Sequence, residues 1–203
     1  MKNDVVITIG RQYGSGGRLI GKEVAERLGV PFYDKELIEL AAKESGYSPE
    51  FIKANEQRST FGFLSNLAAQ GFSYSKDTLP PADTLFIAQC KVIQDVSDNG
   101  PCVIVGRCAD YILRDRADAF HVFIRSDLPH AIKRVTEDYG VPADQAEAEI
   151  KRINKTRAAH CRRYTDRVWG DCENYNMTLD SSLFGVHGCA NVIISAVEQA
   201  FGE

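Results

Sequence analysis

The stretch that most constrains this chain lies near its start, where a strand, a glycine loop and a helix follow one another without a gap. Residues 5–9 form an apolar run that reads as a buried strand, and it stops at Gly10-Arg11-Gln12-Tyr13-Gly14-Ser15-Gly16-Gly17. Ile20, Val24 and Leu28 then share one helical face, which Gly29 and Pro31 end. This order aims backbone N–H groups and a helix N-terminus at an anion. Glycine is needed because the chain must curl with φ > 0, and a Cβ would hold the anion away. An ordinary strand-to-helix turn would explain neither four glycines in eight residues nor the flanking Arg11 and Arg18.

The loop departs from the usual G-x-x-x-x-G-K-[ST] pattern. With Gly16 as its second glycine, Arg11 replaces the first, Gly17 replaces the lysine, and the hydroxyl residue is read as Leu19. The side chains that would hold the β- and γ-phosphates and Mg²⁺ are then both missing. Arg18 or Arg11 could supply the positive charge, and Ser15 a hydroxyl from another place in the loop. The expected phosphate-contacting set is Arg11, Gly14, Ser15, Gly16, Gly17, Arg18 and Leu19.

At 203 residues and 44% hydrophobic, the chain suits one compact domain. No apolar run approaches a membrane span, and residues 1–4 lead into the first strand without a leader. The six cysteines form no C-x-x-C pair, so neither zinc nor a disulfide framework is indicated. A cytoplasmic protein with reduced thiols and no membrane partner is expected. The net charge of −4 argues against nucleic acid as a general partner.

Further along, residues 30–34 read as a second strand ending at Asp34, which is the N-cap of the next helix, a ligand contact, or both. Leu37 to Ala41 continue as a helix that Gly46 stops, and Ser48-Pro49 starts another. Residues 58–81 mix Phe61, Phe63, Phe72 and Tyr74 with Gly, Ser and Asn, which suggests a flap or a partner-facing surface. Leu85, Gln89, Val92 and Val96 make a helix. Residues 102–106 are a doubly buried strand, with Arg107 and Asp110 at the end where open α/β sheets bind ligands; the alternative for that pair is a surface ion pair. Residues 120–124 are another strand, and Asp127 and Pro129 start a helix closed by Gly140. From 143 to 167 a helix with few large apolar residues carries Lys151, Arg152, Lys155, Arg157, Arg162, Arg163 and Arg167 against Asp166, a concentration that points to a polyanionic ligand. Residues 175–179 form the last strand, 180–182 a turn, and Val192 to Val197 the closing helix. This alternation means a parallel sheet with helices on both faces.

The layout resembles the P-loop nucleoside and nucleotide kinases, and more narrowly the cytidylate kinase-like family. Its most specific pieces are residues 11–18, Tyr33-Asp34, Val105-Gly106-Arg107, the basic stretch ending Arg162-Arg163-Tyr164, and Trp169-Gly170-Asp171 through Asn174-Tyr175. The resemblance implies an α/β three-layer P-loop NTPase fold on a five-stranded parallel sheet. It divides the chain into a core (1–34, 100–142, 172–203), an acceptor-binding insertion (35–99) and an arginine-rich lid (143–171). It also implies ATP and Mg²⁺ as cofactors, Asp34, Arg107 and Asp110 near the acceptor, and Arg18, Arg107, Arg157 and Arg163 in catalysis. Phosphoryl transfer needs positioning and charge neutralisation more than covalent work, which suits this parts list.

Three readings follow. One is transfer of the ATP γ-phosphate to a nucleoside monophosphate, with CMP or dCMP leading. Another keeps the chemistry with a different small metabolite. The third is a nucleotide-binding sensor without catalysis, which the missing lysine favours and the arginine-rich lid disfavours. Which group replaces the Mg²⁺ hydroxyl, and whether the long insert pairs two copies in a homodimer, stay open.

Overall fold

The computed structural model describes residues 5–34, 37, 40 and 81–202. Five parallel strands form one sheet: β1 (Val6–Arg11), β2 (Phe32–Tyr33), β3 (Cys102–Val105), β4 (Ala119–Arg125) and β5 (Met177–Asp180), in the order β2-β3-β1-β4-β5. The helices with both bounds among the described residues are α1 (Gly17–Leu28), α2 (Pro81–Asp98), α3 (Ala109–Ile112), α4 (Leu128–Glu137), α5 (Ala143–Thr165) and α6 (Ser181–Phe201). The five-stranded parallel sheet between helices is the architecture the sequence implies.

Strand β1 lies at the centre, and its side chains alternate between two cores. Ile7 and Ile9 join Val103, Val105, Val122 and Ile124 beneath α1 and α6, where Ile20, Val24, Ile193 and Val197 meet them. Val6, Cys102, Ile104 and Ala119 face the other way, against Leu85 and Ile93 of α2 and Ala109 and Leu113 beside α3. Each fully buried aliphatic side chain contributes about 1.5–3 kcal/mol, which is why these strands read as unbroken apolar runs. Thr8 is the polar exception. It sits opposite His121 in the β1–β4 register, with its Oγ1 2.8 Å from the His121 Nδ1.

Some boundaries differ from the sequence reading, each for a local reason. Pro81 opens α2 instead of closing the preceding stretch. Strand β5 starts at Met177 and not at Tyr175, because Asp171 caps a 3-10 turn over Cys172–Asn174 and the Tyr175 N–H closes it on the Cys172 carbonyl. Asp180 caps α6 by accepting from the Ser182 N–H, and Gly185 at φ 66° and ψ −178° interrupts the helical path just beyond. Of the expected helix at 37–46 only Leu37 and Leu40 are described, both helical, while the expected helix from 48 onward, the aromatic stretch up to residue 80 and most of the insertion lie outside the described residues. No described helix is long and apolar enough to cross a membrane.

One feature of the topology positions the site. Helix α1 leaves β1 for one face of the sheet, while α3 follows β3 on the other. A crevice therefore opens between the carboxyl ends of two neighbouring strands, where open α/β sheets bind ligands.

Candidate active site

The glycine loop between β1 and α1 is held by a dense set of hydrogen bonds. The Gln12 N–H donates to the Ile124 carbonyl at 2.9 Å, and the Tyr13 N–H to Asn154 Oδ1 of α5 at 2.8 Å. Ser15 is buried; its Oγ donates to the Gln12 carbonyl at 2.8 Å and accepts from the Gly17 N–H at 3.3 Å. Its hydroxyl shapes the loop. Ser181 Oγ donates to the Ser15 carbonyl at 2.6 Å, and Arg134 Nη1 to the Gly14 carbonyl at 2.9 Å. Gly14 and Gly16 have φ of 81° and 73°, and Gly16 precedes α1 without a side-chain cap. The helix N-terminus thus faces outward from a loop already set for an anion.

The loop register corrects one assignment. Gly17 opens α1 and Arg18 follows it directly, so the place after the lysine position belongs to Arg18, not to Leu19, whose side chain is exposed. Arg18 turns away along the surface, and its Nε donates to Asp34 Oδ2 at 2.6 Å. Asp34 also lies 3.8 Å from Arg11 Nη2. The acid at the end of β2 is thus the counter-charge of two loop arginines.

A cavity of about 320 Å³ opens beside the loop, lined among others by Arg11, Arg107, Asp110, Arg157, His160 and Tyr175. Arg107 is aimed by an unusual backbone: Gly106, Arg107 and Cys108 have φ of 79°, 60° and 54° in succession. Left-handed geometry at two non-glycine residues is strained, and the strain sits at the site. Arg157 reaches in from α5, its Nη1 donating to the Arg11 carbonyl at 2.9 Å. Burial, then repulsion from the neighbouring guanidiniums, lowers Arg107 to about 10 and Arg157 to about 9; burial lowers Arg11 as well, with Asp34 opposing. A cluster of desolvated cations is stabilised by an anion entering among them.

Helix α5 divides the expected lid residues. Lys151 pairs with Glu147, Arg152 with Glu149 and Arg162 with Asp166 just past the helix end, so nearby acids balance much of the basic run; Arg152 also lines the cavity. Arg163, expected over the transferring group, donates from Nη2 to Asp83 Oδ1 of α2 at 2.6 Å, with both side chains buried. It does not line the cavity. Arg157 does. Asn154, Arg134, His160 and Asp83 were not singled out by the sequence reading. The usable signal was Ile150, Asn154, Arg157, Cys161 and Tyr164, which recur at helical spacing on one inward face. The Nε2 of His160 is enclosed with no hydrogen-bond partner, and burial followed by Arg107 and Arg163 lowers its imidazole to about 4. It is neutral at pH 7.

Asp110, in the first turn of α3, is buried, and desolvation raises it to about 6. The folded value lies above the unfolded one, so its cost is absent below about pH 4 and fully present above about pH 6. Asp110→Asn should therefore stabilise the chain, and by about 1 kcal/mol more at pH 7.5 than at pH 5. Urea unfolding at the two pH values checks this; a pH-independent difference would contradict it.

The loop suits nucleotide phosphates, but it does not itself offer a free side-chain ligand for Mg²⁺. Arg18 stands at the hydroxyl position, Asp34 is bound to arginines, Ser15 Oγ is engaged, and no group of three or more His, Cys, Asp or Glu suited to a metal occurs among the described residues.

The sheet order and the glycine loop together define the P-loop kinase fold. The family model of the cytidylate kinase-like family matches residues 6–183, and the chain belongs to that family. A cytidylate kinase of Aeropyrum pernix is 25% identical over 187 residues, 92% of this chain and 95% of that protein. Among solved structures, an uncharacterized protein of Eubacterium ventriosum aligns with a TM-score of 0.73 at 27% identity, covering 96% of this chain and 98% of the other. A shikimate kinase of Acinetobacter baumannii, solved with shikimate, gives a TM-score of 0.56 at 13% identity over 98% and 96% of the two chains, a likeness of fold.

Proposed function

We propose that this chain transfers the γ-phosphate of ATP to a nucleoside monophosphate, with CMP or dCMP the leading acceptor. The observation that carries the reading is the convergence of Arg11, Arg107 and Arg157 on one cavity beside the glycine loop. In this reading, Gly14 to Gly17 and the start of α1 receive the donor phosphates. Arg107 holds the acceptor phosphate at the end of β3. Arg157 arrives from α5 between the two and neutralises charge on the transferring group. Residues 143–171 act as the lid. Its contacts to the Tyr13 N–H and the Arg11 carbonyl close the cavity and limit water as a competing acceptor. Mg²⁺ would arrive with ATP and add positive charge at the donor phosphates.

One observation favours a second reading. The loop lacks both the lysine and the hydroxyl of the standard pattern, and a nucleotide-binding sensor needs neither. ADP release from ATP–Mg²⁺ across a panel of nucleoside monophosphates, nucleosides and small hydroxylated metabolites separates the cases. The expected result is turnover with CMP or dCMP. Turnover confined to another acceptor would keep the chemistry and replace the substrate, and ATP binding without turnover would support the sensor.

A further inference from the structure

The two departures in the phosphate loop occupy the same space. An ideal Cβ built on Gly17, at the lysine position, would lie 2.5 Å from Arg11 Cβ and 3.0 Å from Arg11 Cγ. No real pair of side-chain atoms tolerates the first distance. A side chain at 17 and this side chain at 11 therefore exclude one another: Arg11 in this place requires glycine at 17. Beyond that contact, the Arg11 guanidinium runs to the end of β3. It fills the space over Gly106, where a Cβ would overlap its Nη1, and it lines the cavity with Arg107 and Arg157. Arg18, the other basic residue of the loop, is held outside by Asp34 with its side chain 54% exposed.

We infer that the loop carries an exchanged pair, in which Arg11 at the first-glycine position supplies the phosphate-binding cation and Gly17 at the lysine position is the vacancy that admits it. This deepens the proposed function and rests on its reading of the loop as the donor-phosphate site. The cation reaches the phosphates from the strand end instead of the helix start, so its charge lies between the donor loop and Arg107. A lysine in the usual place reaches the β- and γ-phosphates from the helix side. Gly106 fits the same arrangement: its φ of 79° favours glycine, and the guanidinium occupies the space a side chain there would take.

The test is a reciprocal swap, read by calorimetric binding of AMP-PNP–Mg²⁺ and of tripolyphosphate, with thermal melts of each variant. R11G should weaken both ligands at least tenfold. G17K should melt lower than the unmodified chain, because the added stem meets Arg11. R11G/G17K, which restores the standard spacing of glycine and lysine, should bind both ligands at least tenfold more tightly than R11G and melt above G17K. If G17K does not fold, the comparison of R11G with R11G/G17K still decides. Binding by R11G equal to that of the unmodified chain, or a double variant no better than R11G, would overturn the exchange while leaving the nucleotide reading in place. Failure of the unmodified chain to bind either ligand would overturn both.

Discussion

Replacing Asp83 by alanine should lower the stability of this chain by about 3–5 kcal/mol, the range for stranding one partner of a buried ion pair. Asp83 is only 1% exposed, and it receives Arg163 Nη2 at 2.6 Å and the Tyr164 hydroxyl at 3.1 Å. Arg163 Nε and Nη1 are already enclosed without partners, so removing the carboxylate leaves a buried guanidinium with little compensation. Around the pair, Phe86 of α2 stacks on Tyr164 of α5 at 3.9 Å, so the damage would fall on the seam between those helices. Asp83→Leu combined with Arg163→Leu should recover most of the loss, since a well-packed apolar pair often equals a buried ionic one. Urea midpoints of the single and double variants measure this. A loss under 1 kcal/mol for Asp83→Ala would show that the pair is not fully desolvated.

The second large effect concerns Arg107, and its signs are opposed. Arg107→Gly should reduce kcat/KM for the acceptor by about 10²–10³-fold, the size seen when one preorganised charge-stabilising donor is removed. The same substitution relieves a left-handed φ of 60° at a side-chain-bearing residue, which costs roughly 1–2 kcal/mol. It also removes a desolvated cation beside Arg11. The unfolding midpoint should therefore stay level or rise while activity collapses. Steady-state kinetics over acceptor concentration, set beside a urea melt, gives both numbers. Activity and stability falling together would mean that Arg107 holds the fold and not the acceptor.

The sequence made the central architecture legible because burial on both faces writes itself as unbroken runs such as Cys102 to Val105, and a helix beside it writes a four-residue repeat such as Ile20, Val24 and Leu28. Arg107 was legible for a related reason, as a charged residue one glycine beyond such a run. Arg163 was not, because its partner Asp83 is 80 positions away and charge alone does not say which way a helical residue turns. Lys151 and Arg152 of α5 read as unopposed only while Glu147 and Glu149, one turn earlier, are left out of the count. Asn154 and Arg134 act through backbone groups of the loop, and a backbone carbonyl or N–H leaves no trace in the identity of the residue that carries it.

The guanidinium cluster has a consequence at the bench. Arg11, Arg107 and Arg157 line a cavity with Asp110, and Asp34, outside that lining, is the carboxylate that favours their charge among the described residues. Any small oxyanion in the buffer should settle there, raise the melting temperature and compete with the substrate. Phosphate- or sulfate-containing solutions would make the chain look stable and make its true ligand look weak. Substrate screens belong in chloride, with inorganic phosphate kept as the reference ligand against which each nucleotide is ranked.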